Sequence, residues 1–132
     1  LYSSYNYQKG LEEMNNGTFS PLRHASPAFG VTRLSFEQKK IMLQTYVIYN
    51  AQINAQNLNE EEKSKTAIYA IDNQGRPYSP SWYTLNIKGM YKFENFHLNI
   101  GLENITDQRY RPYSSGIVAP GRNFIISFNS HF

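Results

Sequence analysis

Gly121-Arg-Asn-Phe-Ile-Ile-Ser-Phe-Asn-Ser-His-Phe132 alternates: Phe124, Ile126 and Phe128 recur every second residue and Ser130 continues the row to Phe132. Asn123, Ser127 and Asn129 face the other way. Residues two apart lie on one side of an extended chain, so the pattern predicts a strand with one apolar and one polar face. The sequence stops on the aromatic with no charged tail beyond it, so the terminus is expected to belong to the strand. In water this would be an aggregation-prone edge.

Working outward, the same alternation precedes it twice in one hairpin. Trp82 to Phe93 sets Tyr83, Leu85, Ile87, Gly89, Tyr91 and Phe93 against Thr84, Asn86, Lys88, Met90 and Lys92. Phe96 to Glu103 sets Phe96, Leu98, Ile100 and Leu102 against His97, Asn99, Gly101 and Glu103, with Glu94-Asn95 as the tight turn between. Phe29 to Glu37 and Lys40 to Asn50 form a second pair about Gln38-Lys39. In the first of these Thr32, Leu34 and Phe36 oppose Val31, Arg33 and Ser35. In the second the row Ile41, Leu43, Thr45, Val47, Tyr49 is β-branched and aromatic, although Met42, Tyr46 and Ile48 blur the opposite face. Leu1 to Lys9, with Leu1, Ser3, Tyr5 and Tyr7 on one side, is a tyrosine-rich first strand. The pattern is already running at Leu1 without an initiating Met or signal peptide, so the chain is expected to be a piece of something longer.

The connections between these strands run long, short, long, short, long: Gly10 to Ala28, Gln38-Lys39, Ala51 to Ser81, Glu94-Asn95, Asn104 to Pro120. In an up-and-down meander alternate connections share an end. All the long loops therefore lie together and both tight turns lie opposite, the layout of an outer-membrane barrel. Strands of eight to twelve residues bracket the ~9–11 that a tilted strand needs to cross a bilayer. Phe36, Phe93, Phe96 and Phe132 fall near the turn end and Tyr7, Phe29, Tyr49, Trp82, Tyr83 and Phe124 near the loop end, as two aromatic belts would. In a soluble sandwich the apolar rows would meet another sheet; in a barrel they meet lipid, and the polar rows line the interior. The shared end of the long loops favours the barrel.

Composition sets outer limits. A chain of 132 residues fits one domain. Eleven Tyr, eight Phe and one Trp sit in a sequence of polar mean hydropathy, so the apolar residues are spread along alternating segments. No run approaches the ~18 apolar residues of a membrane helix, which leaves strands free to cross. The absence of cysteine excludes disulfides, thiolate chemistry and cysteine-ligated zinc. A net charge of +3, with Lys39, Lys40, Lys63, Lys65, Lys88 and Lys92 scattered, argues against nucleic acid as a partner.

The segment Gly101-Leu-Glu-Asn-Ile-Thr-Asp-Gln-Arg-Tyr110, then Ala119-Pro-Gly-Arg-Asn-Phe124 and the aromatic terminus, resembles the closing motif of TonB-dependent outer-membrane receptors. Their last strands carry an Asn-(aromatic or aliphatic)-Thr/Phe-Asp-x-x-Tyr segment, then Pro-Gly-Arg-x-Phe leading into the final strand. Pro21-Leu-Arg-His-Ala-Ser-Pro-Ala-Phe-Gly30 similarly resembles an upstream loop-to-strand segment of that family. The resemblance spans nearly the whole chain. It implies an all-β fold, an antiparallel up-and-down meander of about six strands forming the C-terminal segment of a transmembrane β-barrel of about 22 strands. Residues 1–132 would be that segment, with the plug and the N-terminal barrel strands outside it. The implied location is the bacterial outer membrane with the C-terminus at the periplasmic side. The implied partners are outer-membrane lipid, the remaining barrel strands and plug of the parent receptor, TonB through the N-terminal part, and the barrel-assembly machinery. Uptake of a scarce ligand (iron chelate, cobalamin or glycan) by energy-coupled transport follows, with no cofactor. Phe124, Ile126 and Phe128 would face lipid, and Phe132 would sit at the periplasmic rim as the assembly signal. The alternative is a soluble, aromatic-rich β-sheet carbohydrate-binding module; a third reading pairs the open edges with another chain.

Tyr110, Arg111 and Tyr113 are the loop residues expected nearest a ligand; for the two tyrosines, anchoring the loop at headgroup level is the favoured role. Asn104 and Asp107 are expected to cap the turn leaving the strand. Arg122 either bridges Glu103 or Asp107 or is a solvated charge. Asn59, with Glu62 three residues on, predicts a capped helix of one or two turns outside any core, with Glu60 to Glu62 as its solvated start. Asp72-Asn-Gln-Gly reads as a turn, since a calcium loop needs a later acid. His24, His97 and His131 lack paired-ligand spacing, so no metal is expected. No serine sits in a Gly-x-Ser-x-Gly elbow, and no residue is assigned a catalytic role.

Overall fold

The computed structural model of the chain describes residues 1–130, so the expectations placed on His131 and Phe132 lie outside the described residues. In chain order the strands are β1 (Tyr2–Asn6), β2 (Leu11–Glu13), β3 (Phe19–Pro21), β4 (Phe29–Gln38), β5 (Ile41–Asn50), β6 (Ala70–Ile71), β7 (Pro77–Tyr78), β8 (Trp82–Lys92), β9 (Phe96–Glu103) and β10 (Asn123–Ser130). A short helix, α1 (Glu60–Lys63), follows a 3-10 turn at Ala55–Asn57. The protein is all-β. One six-stranded antiparallel sheet runs in the order β1-β4-β5-β8-β9-β10, so its strands neighbour one another as they follow in the chain. The long connections carry their own small hairpins, β2 with β3 and β6 with β7.

Register decides which side chains share a face. Gly89 pairs with Leu43 on one side and Ile100 on the other, and Ile100 pairs with Ile126. Thr45 pairs with both Leu34 and Ile87, and Ile87 with Leu102. The rows that alternate separately in each strand are therefore joined into one apolar face across the sheet. The opposite face carries Arg33, Tyr46, Asn86 and Glu103, and there the Tyr46 hydroxyl donates to Glu103 Oε1 at 3.0 Å. Ile48 and Met42 also lie on this second face, in pairs with Thr84 and Met90, which accounts for the blurred alternation of β5.

The structure corrects several boundaries. β1 ends at Asn6 rather than Lys9, because its partner β4 begins at Phe29 and Asn6 is the last residue opposite it. The first tight turn lies at Lys39-Lys40, one residue later than expected: Gln38 pairs with Ile41, and Lys39 takes the left-handed φ of 46° that the reversal requires. Phe29 and Trp82, expected in the loop-end belt, pair with Asn50 on the polar face instead. The turn-end aromatics do gather: Phe93 stacks on Phe96 at 4.2 Å, and Phe96 meets Phe128 at 4.7 Å.

The buried hydrophobic residues Ile53, Leu58 and Tyr69 all belong to the second long connection, not to the sheet. By contrast Leu34, Phe36, Ile87, Ile100, Phe124, Ile126 and Phe128 are exposed. No helix among the described residues is long and apolar enough to cross a membrane, which says nothing of strands.

One close approach holds β1 to the sheet. The Tyr49 hydroxyl crosses Gly30 to donate to Ser4 O at 3.3 Å. A Cβ on Gly30 would stand 2.3 Å from Ser4 O and 2.4 Å from Tyr49 Oη. Gly30→Ala is expected to cost about 1–3 kcal/mol by overpacking, read as faster amide exchange in β1. Gly116→Ala, with nothing near its added methyl, should leave that exchange unchanged; equal behaviour of the two variants would remove the steric account.

Candidate functional site

The three long connections close over one end of the sheet, and α1 ties them. Asn59 is its N-cap: Oδ1 accepts from Glu61 N at 2.9 Å, satisfying an amide that the helix leaves without a partner. The same side chain donates to Pro21 O at 2.8 Å and Ser20 Oγ at 3.3 Å, reaching into the first connection, and Ser20 Oγ in turn accepts from Glu60 N at 3.2 Å. Asn59 and Ser20 are buried.

Glu62 is fully buried at 0% exposure, which corrects both the solvated helix start and the placing of this helix outside any core. Helix spacing places residue 62 on the side turned toward the first and third connections. Its carboxylate accepts from Tyr69 Oη at 2.7 Å, from Ser114 Oγ at 3.4 Å and from Lys65 Nζ, and it pairs with Arg23 Nε at 3.4 Å. His24 Nδ1 lies 3.1 Å from Ser114 Oγ. Burial alone would push the Glu62 carboxyl up; hydrogen bonds from Lys65 and Tyr69, with the charges of Lys65 and His24, overcome it and hold the group at about 2. Burial and the same hydrogen bond push the Tyr69 hydroxyl up.

The third connection is built on Asn104, whose φ of 48° turns the chain out of β9. Asn104 N donates to Asn86 Oδ1 at 2.9 Å, its Oδ1 accepts from Gln108 N at 2.9 Å, and its Nδ2 donates to Pro120 O at 3.3 Å. Asn104 thus caps the turn leaving β9 as expected, whereas Asp107 Oδ1 accepts from Arg122 N at 2.7 Å and so ties that turn to the entry of β10 instead of capping it. The Arg122 side chain bridges neither Glu103 nor Asp107. Its Nε donates instead to Ile105 O at 3.0 Å, while Asp107 Oδ1 takes the Arg122 backbone amide. Asp72 closes a turn by accepting from Gln74 N and Arg76 N, both at 2.9 Å, and these backbone donors, Arg76 first, lower its carboxyl.

Of the loop residues singled out from sequence, Tyr110 stacks on Trp82 with centroids 4.1 Å apart and Arg111 Nη1 donates to Ala67 O at 2.7 Å. Both line a cleft of about 290 Å³ between the second and third connections. Tyr113 is turned away from it, against the Ile53–Leu58–Tyr69 core and 6.3 Å from the Tyr69 ring. Burial raises both the Tyr110 and Tyr113 hydroxyls. Sequence reasoning passed over Arg109 and Trp82 as parts of this cleft. The signal for Trp82 was its position at the loop end of a polar row, where it reads as inward rather than as belt. A second, polar cleft of about 410 Å³ is lined by Gln52, Asn54, Gln56, Asp72, Arg76 and Tyr78.

Phe124, Ile126 and Phe128 lie on the apolar face, opposite Leu102, Ile100 and Leu98 of β9, and each is more than 60% exposed. β10 and β1 are the outer strands of the sheet. No protein-family model, no curated protein and no solved structure matches the chain.

Proposed function

We propose that the chain is the C-terminal barrel portion of an outer-membrane TonB-dependent receptor that takes up a scarce ligand, an iron chelate, cobalamin or glycan, by energy-coupled transport. The observation that carries the reading is the apolar face joined from β4 through β5, β8 and β9 to β10, uncovered while the buried apolar core of the described residues sits among the loops. Soluble monomers rarely expose an apolar patch beyond a few hundred Å²; a barrel presents such a face to lipid and turns its polar face inward. The placing of the three long connections at one end and the tight turns at the other supports the same orientation, loops outward and turns toward the periplasm. On this reading β1 and β10 pair with the remaining strands of the parent barrel, since membrane barrels have at least about eight strands. The plug, TonB and the assembly machinery would be its protein partners. A soluble carbohydrate-binding module would need a second layer over the apolar face.

Removal of detergent from the purified chain tests this. The expected result is self-association as micelles are diluted out, reversed when detergent is restored. A chain that stays monomeric and unfolds cooperatively in detergent-free buffer would overturn the membrane assignment.

A further inference from the structure

The cleft between the second and third connections has a lining with a definite chemical bias. Trp82 and Tyr110, stacked on each other, and the nearby Pro80 and Val118 supply flat apolar walls. Arg109 and Arg111 supply positive charge, and among the described residues no carboxylate lines the cleft. Arg111 is held from behind, its Nη1 bonded to Ala67 O at 2.7 Å, so its remaining donors are positioned rather than free to swing. Arg109 is exposed and, among the described residues, its guanidinium has neither a hydrogen-bond nor an ion-pair partner. The nearest acids are engaged elsewhere: Glu103 accepts from Tyr46, and Glu62 lies beneath Tyr69 and Ser114 within its own ion-pair cluster.

A planar, delocalised guanidinium matches a carboxylate with two parallel donors, and an indole face beside it suits a ring. The volume of about 290 Å³ stands at the small end of ligand sites, which run from about 300 Å³ upward, so a single ring bearing its charge directly fits better than a large chelate. We infer that this cleft binds a small aromatic carboxylate, its ring against Trp82 and its carboxylate on Arg109 and Arg111. The inference goes beyond the receptor reading, since a small aromatic carboxylate is none of the transported ligands proposed above, and it rests on that reading only for placing the cleft at the outer, loop end.

Trp82 is the only tryptophan of the chain and lines the cleft, so its emission reports occupancy directly. The full chain in non-ionic micelles is titrated with sodium benzoate, neutral benzamide and inorganic phosphate. The expected result is a saturable change with benzoate, at least tenfold weaker binding of benzamide and phosphate, and at least tenfold loss of benzoate affinity in Arg109→Ala. Arg109→Lys should recover part of that loss, a pattern that misfolding would not produce. The site is overturned if benzoate gives no saturable change, if benzamide or phosphate binds as well, or if Arg109→Ala binds benzoate unchanged. Detergent dependence is scored separately. A soluble chain that binds benzoate through Arg109 keeps the cleft and loses the membrane assignment; a detergent-requiring chain with no benzoate response loses only the cleft.

Discussion

Replacing Ile87 by arginine is expected, on the proposed receptor reading, to cost the protein in a bilayer about 2–4 kcal/mol, the range for a cation on the lipid side of a strand at mid-bilayer. Ile87 stands at the middle of β8 (Trp82–Lys92), on the apolar face, between Thr45 and Leu102. Asn99→Arg supplies the control, since Asn99 lies on the polar face opposite Met90 and Ser127, where a charge stays in water. The measurement is the urea midpoint of the protein folded into phosphatidylcholine vesicles, followed by Trp82 emission. If the apolar face met water instead, Ile87→Arg at a site already 46% exposed would change stability by no more than about 0.5 kcal/mol. Equal midpoints for the two variants would therefore contradict the lipid-facing assignment.

Glu62→Gln is expected to loosen all three long connections together, at a cost of about 2–3 kcal/mol for charge-assisted hydrogen bonds lost from a buried site. The amide keeps the shape of the carboxylate, so the change reports charge and not packing. The loss stays below that of a buried ion left alone, because Lys65 and Arg23 are a third or more exposed and water solvates them. The same carboxyl gives the loops a pH dependence. It is held at about 2 against an ordinary 4.5, so its contribution of about 3 kcal/mol is complete above pH 4.5 and disappears as pH falls through 2. Asp72, also depressed, titrates in both proteins and cancels in the comparison. Amide protection in the first and third connections, taken as the exchange rate relative to the intrinsic rate of an unstructured amide at the same pH, should fall between pH 6 and pH 3 in the native protein and fall much less in Glu62→Gln. An undiminished acid response in the variant would remove Glu62 as its source.

Most of the sheet was legible because alternation is a local property. Each strand carries its own two-residue period, and β8 with β9 shows the apolar row without interruption. The failures came where position depends on a partner. β1 was read too long because its end is set by where β4 begins; Phe29 and Trp82 do lie at the loop end as read, but on the polar face, which an aromatic at a strand end does not reveal because it carries no period of its own. In the third connection the Asn104 cap was readable, since a side chain bonding its own turn needs no distant partner, whereas Asp107 takes the amide of Arg122 at the other end of the connection, which no local pattern records.

The cleft and the α1 hub were far less visible. Asn59 and Glu62 announced a helix start, and the helix is there. That Glu62 would be buried could not be read from Glu60-Glu61-Glu62, because Lys65 and Tyr69 lie nearby in sequence but Arg23 and Ser114, which complete its partners, are supplied by other connections. Tyr110 and Arg111 were singled out, yet Arg109 and Trp82 complete the lining only once the third connection folds over β8.

The sequence by itself determined the strand faces, the short turns and the grouping of the long connections, since these follow from side-chain alternation and chain reversal between near neighbours. Only the tertiary structure decided that the apolar rows merge into one uncovered face while the buried core forms among the loops. Register and burial arise from contacts between residues tens of positions apart, such as Tyr46 with Glu103 or Asn59 with Ser20, and a local pattern holds no record of them.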